Sequence, residues 1–92
     1  MPGEVFSLTV HGDSMTDAGI QEGDIVIIER DRSPVNSDIV AAIVDGEWTV
    51  KYFFRKNGVV SLVPANEKYP ILKPRESLVI GGVVASVIRK YH

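Results

Sequence analysis

Residues 38–54 read DIVAAIVDGEWTVKYFF. A continuous apolar run, Asp38 to Val44, is followed by Asp45-Gly46 and then by an alternating run from Glu47 to Phe54. Asp-Gly supplies the two positive φ angles of a two-residue hairpin turn, so the two runs are expected to pair antiparallel. Working outward, Lys56-Asn57-Gly58 repeats the signal and brings Val59 to Val63 alongside. Upstream, Val5 to Val10 alternates and Asp24 to Glu29 (DIVIIE) is another short apolar run. Downstream, Leu78 to Tyr91 completes the set, with Gly81-Gly82 marking a bulge or a close backbone approach. Pro64, Pro70 and Pro74 break residues 64–77 into irregular loop. Helical periodicity is nearly absent. Only Ser14-Met15-Thr16-Asp17 fits one short turn, capped by Ser14 or Thr16. The expected fold is mainly β: one domain over residues 1–92, built of mostly antiparallel strands with one helical turn.

Composition narrows the function. Ninety-two residues make one small domain. Ten basic side chains against 12 acidic ones give a net charge of −2, and the basic residues come as scattered pairs such as Arg30/Arg32, Arg55/Lys56, Lys73/Arg75 and Arg89/Lys90. Such a distribution lacks the cationic stripe that neutralises phosphates, so direct nucleic-acid binding is not expected. The chain has no cysteine, hence no disulfide, no thiol nucleophile and no thiolate zinc site. No apolar run approaches the roughly 20 residues of a membrane helix, and the first ten residues do not read as a signal peptide. The expectation is a cytoplasmic protein away from membranes.

The stretch Val10 to Asp24, VHGDSMTDAGIQEGD, is not needed to build a sheet and is the place to look for chemistry. Ser14 lies there after Gly12 and Asp13. A serine hydroxyl needs a base to take its proton as it attacks. The histidines are His11, three residues upstream, and His92, the last residue. A lysine serves instead where burial makes its amine neutral. Lys56, Lys68, Lys73 and Lys90 fall at turns, beside prolines or near the carboxyl end, and are expected to be exposed. Lys51 sits in mid-strand with Thr49 and Phe53 on its own face and Trp48, Val50 and Tyr52 on the other. Two plainer roles compete: Ser14 as a turn cap and Lys51 as a guard on a sheet edge. Asp17, Glu22 and Asp24 match no regular metal-binding loop and are read as a solvated acidic loop, so no metal or cofactor is expected. Gly19 and Gly23 are expected at turns.

Taken together, GDSMTDAGIQEGD, GEWTVKYF and LVPANEKY resemble the LexA/UmuD family of self-cleaving serine peptidases, with a motif in each third of the chain. The resemblance implies that Ser14 is the nucleophile and Lys51 the general base, with the backbone N–H groups of Asp13 and Ser14 receiving the oxyanion. Gly12 would leave room for an extended peptide, and Met15 would pack beneath the turn. GDSM, VDGEWTVK, the P-x-N of Pro64 and Asn66, and a chain that stops directly after the last strand are most similar to the UmuD branch. That branch implies a homodimer that joins a Y-family, UmuC-like polymerase in lesion bypass during the SOS response, with a RecA–DNA filament prompting cleavage. The strand LVIGGVVASVIRKY offers a partner surface, although Val83, Val84, Val87 and Ile88 are mostly expected in the core.

Family members carry a cleavage arm some thirty or more residues before the serine. Here 13 residues precede Ser14, and Pro2-Gly3 is the only bond of remotely suitable appearance. The chain is therefore expected to be a core without its arm, unable to cut in cis. Ser37 stands where the family usually has glycine. The alternative reading within the family is the carboxyl-terminal cleavage and dimerisation domain of a LexA-like or phage-type repressor. A third reading is a non-enzymatic β domain.

Overall fold

The computed structural model describes residues 4–74 and 77–91. The Pro2-Gly3 bond, Arg75 and His92 lie outside the described residues. Six strands form one sheet: β1 (Val5–Thr9), β2 (Ile25–Glu29), β3 (Ile39–Val44), β4 (Glu47–Lys56), β5 (Val59–Val63) and β6 (Leu78–Ile88). Their order is β1-β2-β6-β3-β4-β5, and every neighbouring pair is antiparallel. Both expected hairpins form. Val44 pairs with Glu47 across Asp45 (φ 48°) and Gly46 (φ 91°), and Lys56 pairs with Val59 across Asn57 (φ 51°) and Gly58 (φ 78°). Two successive positive φ angles give the turn the right-handed twist of the strands it joins.

The last strand is shorter than its apolar run, ending at Ile88 rather than Tyr91. It lies between β2 and β3 and bends at two register shifts, one against Ile27/Ile28 and one against Ala41/Ala42. The second falls at Gly81-Gly82, as the sequence implies. A Cβ on Gly82 would stand 2.4 Å from the Glu29 carbonyl oxygen and 2.7 Å from Ile28 Cγ2, so only glycine lets β2 come this close. Ser37 adopts φ 74°, which accounts for the glycine that the family resemblance leads one to expect there. The loop around it is held by Asn36, which accepts the Arg55 N–H at 2.7 Å and donates to the Arg55 carbonyl at 3.2 Å, standing in for a strand residue.

Alternation along β3 divides the core in two. Ala41 joins Val10, Met15, Ile20, Val26, Ile28 and Ala65 in one cluster, while Val40 and Ala42 join Phe53, Leu62 and Val83 in the other. Val84 packs against the first cluster, but Val87 and Ile88 are exposed, so the far half of β6 does not fill the core as expected. The sheet is strongly curled. Phe6 on β1 and Trp48 on β4 are four strand steps apart, roughly 19 Å in a flat sheet, yet their ring centroids lie 5.6 Å apart at 57°. Curling brings β1 round to face β4, and the site lies in the gap between them.

Candidate active site

The segment between β1 and β2 is a hairpin loop grown long. Its base is tied by Val10 N–H to the Asp24 carbonyl and by Gly23 N–H to the Val10 carbonyl, both at 2.8 Å. Gly12 turns the chain with φ 84° and donates its N–H to Glu22 Oε1 at 3.0 Å. A Cβ there would meet nothing within 4 Å, so the backbone's handedness is what requires glycine. Gly19 and Gly23 likewise serve turns, at φ 81° and 88°. Ser14 follows, half-buried, and Met15 packs beneath it with 2% exposure, in the cluster with Ile20 and Ala65.

The helical turn lies later than expected, at Thr16–Ala18, and is 3-10. Its N-cap is Met15, and no side chain caps it. Ser14 falls two residues before the helix, and the Thr16 hydroxyl accepts instead from Asn66 Nδ2 at 3.4 Å. Capping by Ser14 or Thr16 is therefore not what this turn uses.

The proline-rich loop after β5 clamps the serine turn from behind. Ala65 donates its N–H to Met15 Sδ at 3.3 Å and accepts the Asp17 N–H at 2.7 Å. Asn66 Nδ2 donates to the Asp13 carbonyl at 2.9 Å. The Tyr69 hydroxyl donates to Asp13 Oδ1, and this carboxylate holds the phenol above its ordinary pKa, since losing the proton would set two anions together. Apart from the P-x-N of Pro64 and Asn66, sequence reasoning missed this bracing. The polar residues scattered among prolines at 64–70 are the only signal that could have found it.

Opposite the serine stands β4. Lys51 is 8% exposed, and it is the one buried lysine of the five. Its backbone pairs with Val40 on β3, and the ladder to β5 begins one residue later, at Tyr52; it is the burial of the side chain that argues against the edge-guard role. Burial drives its pKa below the ordinary lysine value, because desolvation penalises the ammonium. Its Nζ donates to Thr49 Oγ1 at 2.5 Å, on the face that strand alternation assigns. Ser14 and Lys51 together line a cleft of about 360 Å³ walled by Leu8, Thr9 and Val10 on one side and Trp48, Thr49 and Val50 on the other. They also share an adjoining hollow with Gly12, Asp13 and Tyr69. His11 lines both. Among the described residues, no side-chain hydrogen bond joins Ser14 to either Lys51 or His11.

The acidic loop is less solvated than expected. Asp24 is 2% exposed, and its carboxylate accepts two hydrogen bonds from Arg89, Nε at 2.9 Å and Nη2 at 2.8 Å, and one from Gln21 N–H at 2.8 Å. Arg89 Nη2 also donates to the Gly19 carbonyl at 2.8 Å. The guanidinium lowers the Asp24 pKa to about 2, and the pair raises that of Arg89. The partner lies 65 positions away, so nothing local in the sequence pointed to it.

A half-buried serine and a buried lysine of lowered pKa thus line one cleft. The chain belongs to the Peptidase S24-like family, whose profile matches residues 1–85. It is 44% identical over 91 residues to the LexA repressor of Carboxydothermus hydrogenoformans, covering 96% of this chain and 44% of that one. It is 48% identical over 88 residues to the LexA repressor of Bifidobacterium longum, and 49% identical over 88 to that of Mycolicibacterium smegmatis, in both covering 96% of this chain and 36% of the other. The chain thus spans less than half the length of these relatives.

Proposed function

We propose that this domain is the self-cleavage and dimerisation domain of a LexA-like repressor, cutting a peptide bond with Ser14 as nucleophile and Lys51 as general base. The observation that bears most weight is the meeting of these two residues, 37 positions apart in sequence, at one cleft in which Lys51 has its pKa lowered. Neutral Lys51 takes the hydroxyl proton as Ser14 Oγ bonds to the carbonyl carbon of the scissile peptide. The N–H groups of Asp13 and Ser14 receive the oxyanion. Collapse of that intermediate breaks the C–N bond, Lys51 returns the proton to the leaving amine, and water then releases the acyl group. For attack, Lys51 Nζ must leave Thr49 Oγ1 and turn towards Ser14. The free edge of β1 and the Trp48–Lys51 wall suit an extended segment lying between them.

The relatives' names support the repressor reading over the UmuD-like polymerase subunit, whose support is limited to GDSM, VDGEWTVK and the P-x-N. A UmuC-like polymerase partner belongs with that second reading. A homodimer, a cytoplasmic setting and cleavage prompted by a RecA–DNA filament are proposed with the first.

The test supplies a substrate in trans: full-length LexA repressor of C. hydrogenoformans, with its residue aligned to Ser14 replaced by alanine. Cleavage at alkaline pH is expected. Ser14→Ala and Lys51→Ala should each abolish it, by about 1000-fold or more, while leaving the circular dichroism spectrum unchanged. Cutting that persists in either variant overturns the dyad.

A further inference from the structure

The Asp13 carbonyl receives an unusual amount of attention for an exposed turn. Asn66 Nδ2 donates to it at 2.9 Å from across the molecule, 53 positions away, and Thr16 N–H approaches it at 3.4 Å. Asn66 is itself pinned, because its Oδ1 accepts the Lys68 N–H at 3.0 Å and its Nδ2 also reaches Thr16 Oγ1. The residue before it is buried and bonded twice to the serine turn, through Met15 Sδ and the Asp17 N–H. The amide that grips the carbonyl therefore stands on a fixed base.

The carbonyl of Asp13 and the N–H of Ser14 belong to one planar unit, and in a trans peptide they point in opposite directions. Whatever fixes the direction of the C=O fixes that of the N–H. An Asn66 side chain drawing the oxygen towards itself turns the Ser14 N–H the opposite way, away from Asn66. We propose that Asn66 is the positioning residue for the oxyanion-binding amide of Ser14, acting through the Asp13–Ser14 peptide plane. The inference rests on the serine–lysine reading given above. Asn66 touches no reacting atom; it prepays the orientation that a preorganised donor needs to favour the transition state.

Two variants separate this role from turn-holding. Asn66→Asp keeps an oxygen for the Lys68 N–H and loses the donor, whereas Asn66→Leu loses both without adding charge. Each is assayed in trans on the C. hydrogenoformans repressor described above. The expected result for both is a fall in kcat of about 10–100-fold, less than outright loss of an oxyanion donor, with KM within about twofold of wild type. For Asn66→Leu the alkaline midpoint of the pH profile should not move, because Lys51 is untouched. In the unaltered protein, NMR should show a through-hydrogen-bond coupling between Asn66 Nδ2 and the Asp13 carbonyl carbon, a readout that needs no activity. The proposal is overturned if Asn66→Asp cuts at the wild-type rate, if the loss falls on KM alone, or if that coupling is missing. A wild-type chain that never cuts overturns the peptidase reading and this role with it, whereas a cutting wild type with an unimpaired Asn66→Asp overturns this role alone.

Discussion

At the scale of single residues, Lys51 sets stability against chemistry. Its pKa is lowered in the folded state, so the unfolded chain binds the proton more tightly between that lowered value and the ordinary 10.5. Stability therefore rises with pH across this window, and below it the buried ammonium is a net cost. Lys51→Met is expected to raise Tm by a few degrees at pH 7, and the advantage should shrink as pH nears 10.5. Thermal melts at pH 7 and pH 10 check this; an equal margin at both would contradict the sign. The proposed cleavage must climb with pH through the same lowered value, since only the neutral amine accepts a proton. Lys51 was legible in the sequence because a charged residue in mid-strand among Trp48, Val50, Tyr52 and Phe53 has few exposed positions available. Thr49 was legible only as a neighbour on the same face, since alternation fixes the side of a strand but not a hydrogen bond.

At the scale of elements, Arg89 anchors the loop that bears Ser14. It sits just past β6, yet it reaches both the buried Asp24 at the start of β2 and the Gly19 carbonyl within the loop. Asp24 has its pKa lowered to about 2 from 3.8, so the stability it contributes is complete above about pH 4 and is lost as pH falls through about 2. Arg89→Ala strands a carboxylate without its partner. A Tm lower by several degrees at pH 7 is expected, with the gap to wild type closing below about pH 3; thermal melts across pH 2–7 measure it. The strands themselves were readable because local cues agreed: Asp45-Gly46 and Asn57-Gly58 at the turns, alternation in β1 and β4, apolar runs in β2 and β3. The misjudged features depend on distant partners. Buried Asp24 is paired with Arg89, and the Thr16 hydroxyl, expected as a cap, accepts from Asn66 instead.

At the scale of the whole molecule, the sequence showed strands but not their order. Placing β6 between β2 and β3 is a pairing across long separations, which periodicity does not encode. That placement leaves Val87 and Ile88 exposed at 41% and 48%, with Tyr91 beyond them at 85%. Apolar side chains left in water at one end of the longest strand suit the proposed self-association. Sedimentation at micromolar concentration should find a dimer, and Ile88→Glu should shift it towards monomer while sparing the fold. A wild-type monomer under those conditions would remove the dimer from the proposal.

The rolled shape of the sheet has a final implication. The walls of the cleft come from strands that are not neighbours, so no ladder of backbone hydrogen bonds spans its mouth, and its width is set by how tightly the intervening strands coil. Phe6 against Trp48 is a contact across that opening, and Gly82 lets β2 and β6 nest closely along the way. A slight unrolling would part the two halves of the site long before any strand came loose. Low concentrations of urea should accordingly abolish the proposed cleavage while the spectroscopic signature of folding still looks native.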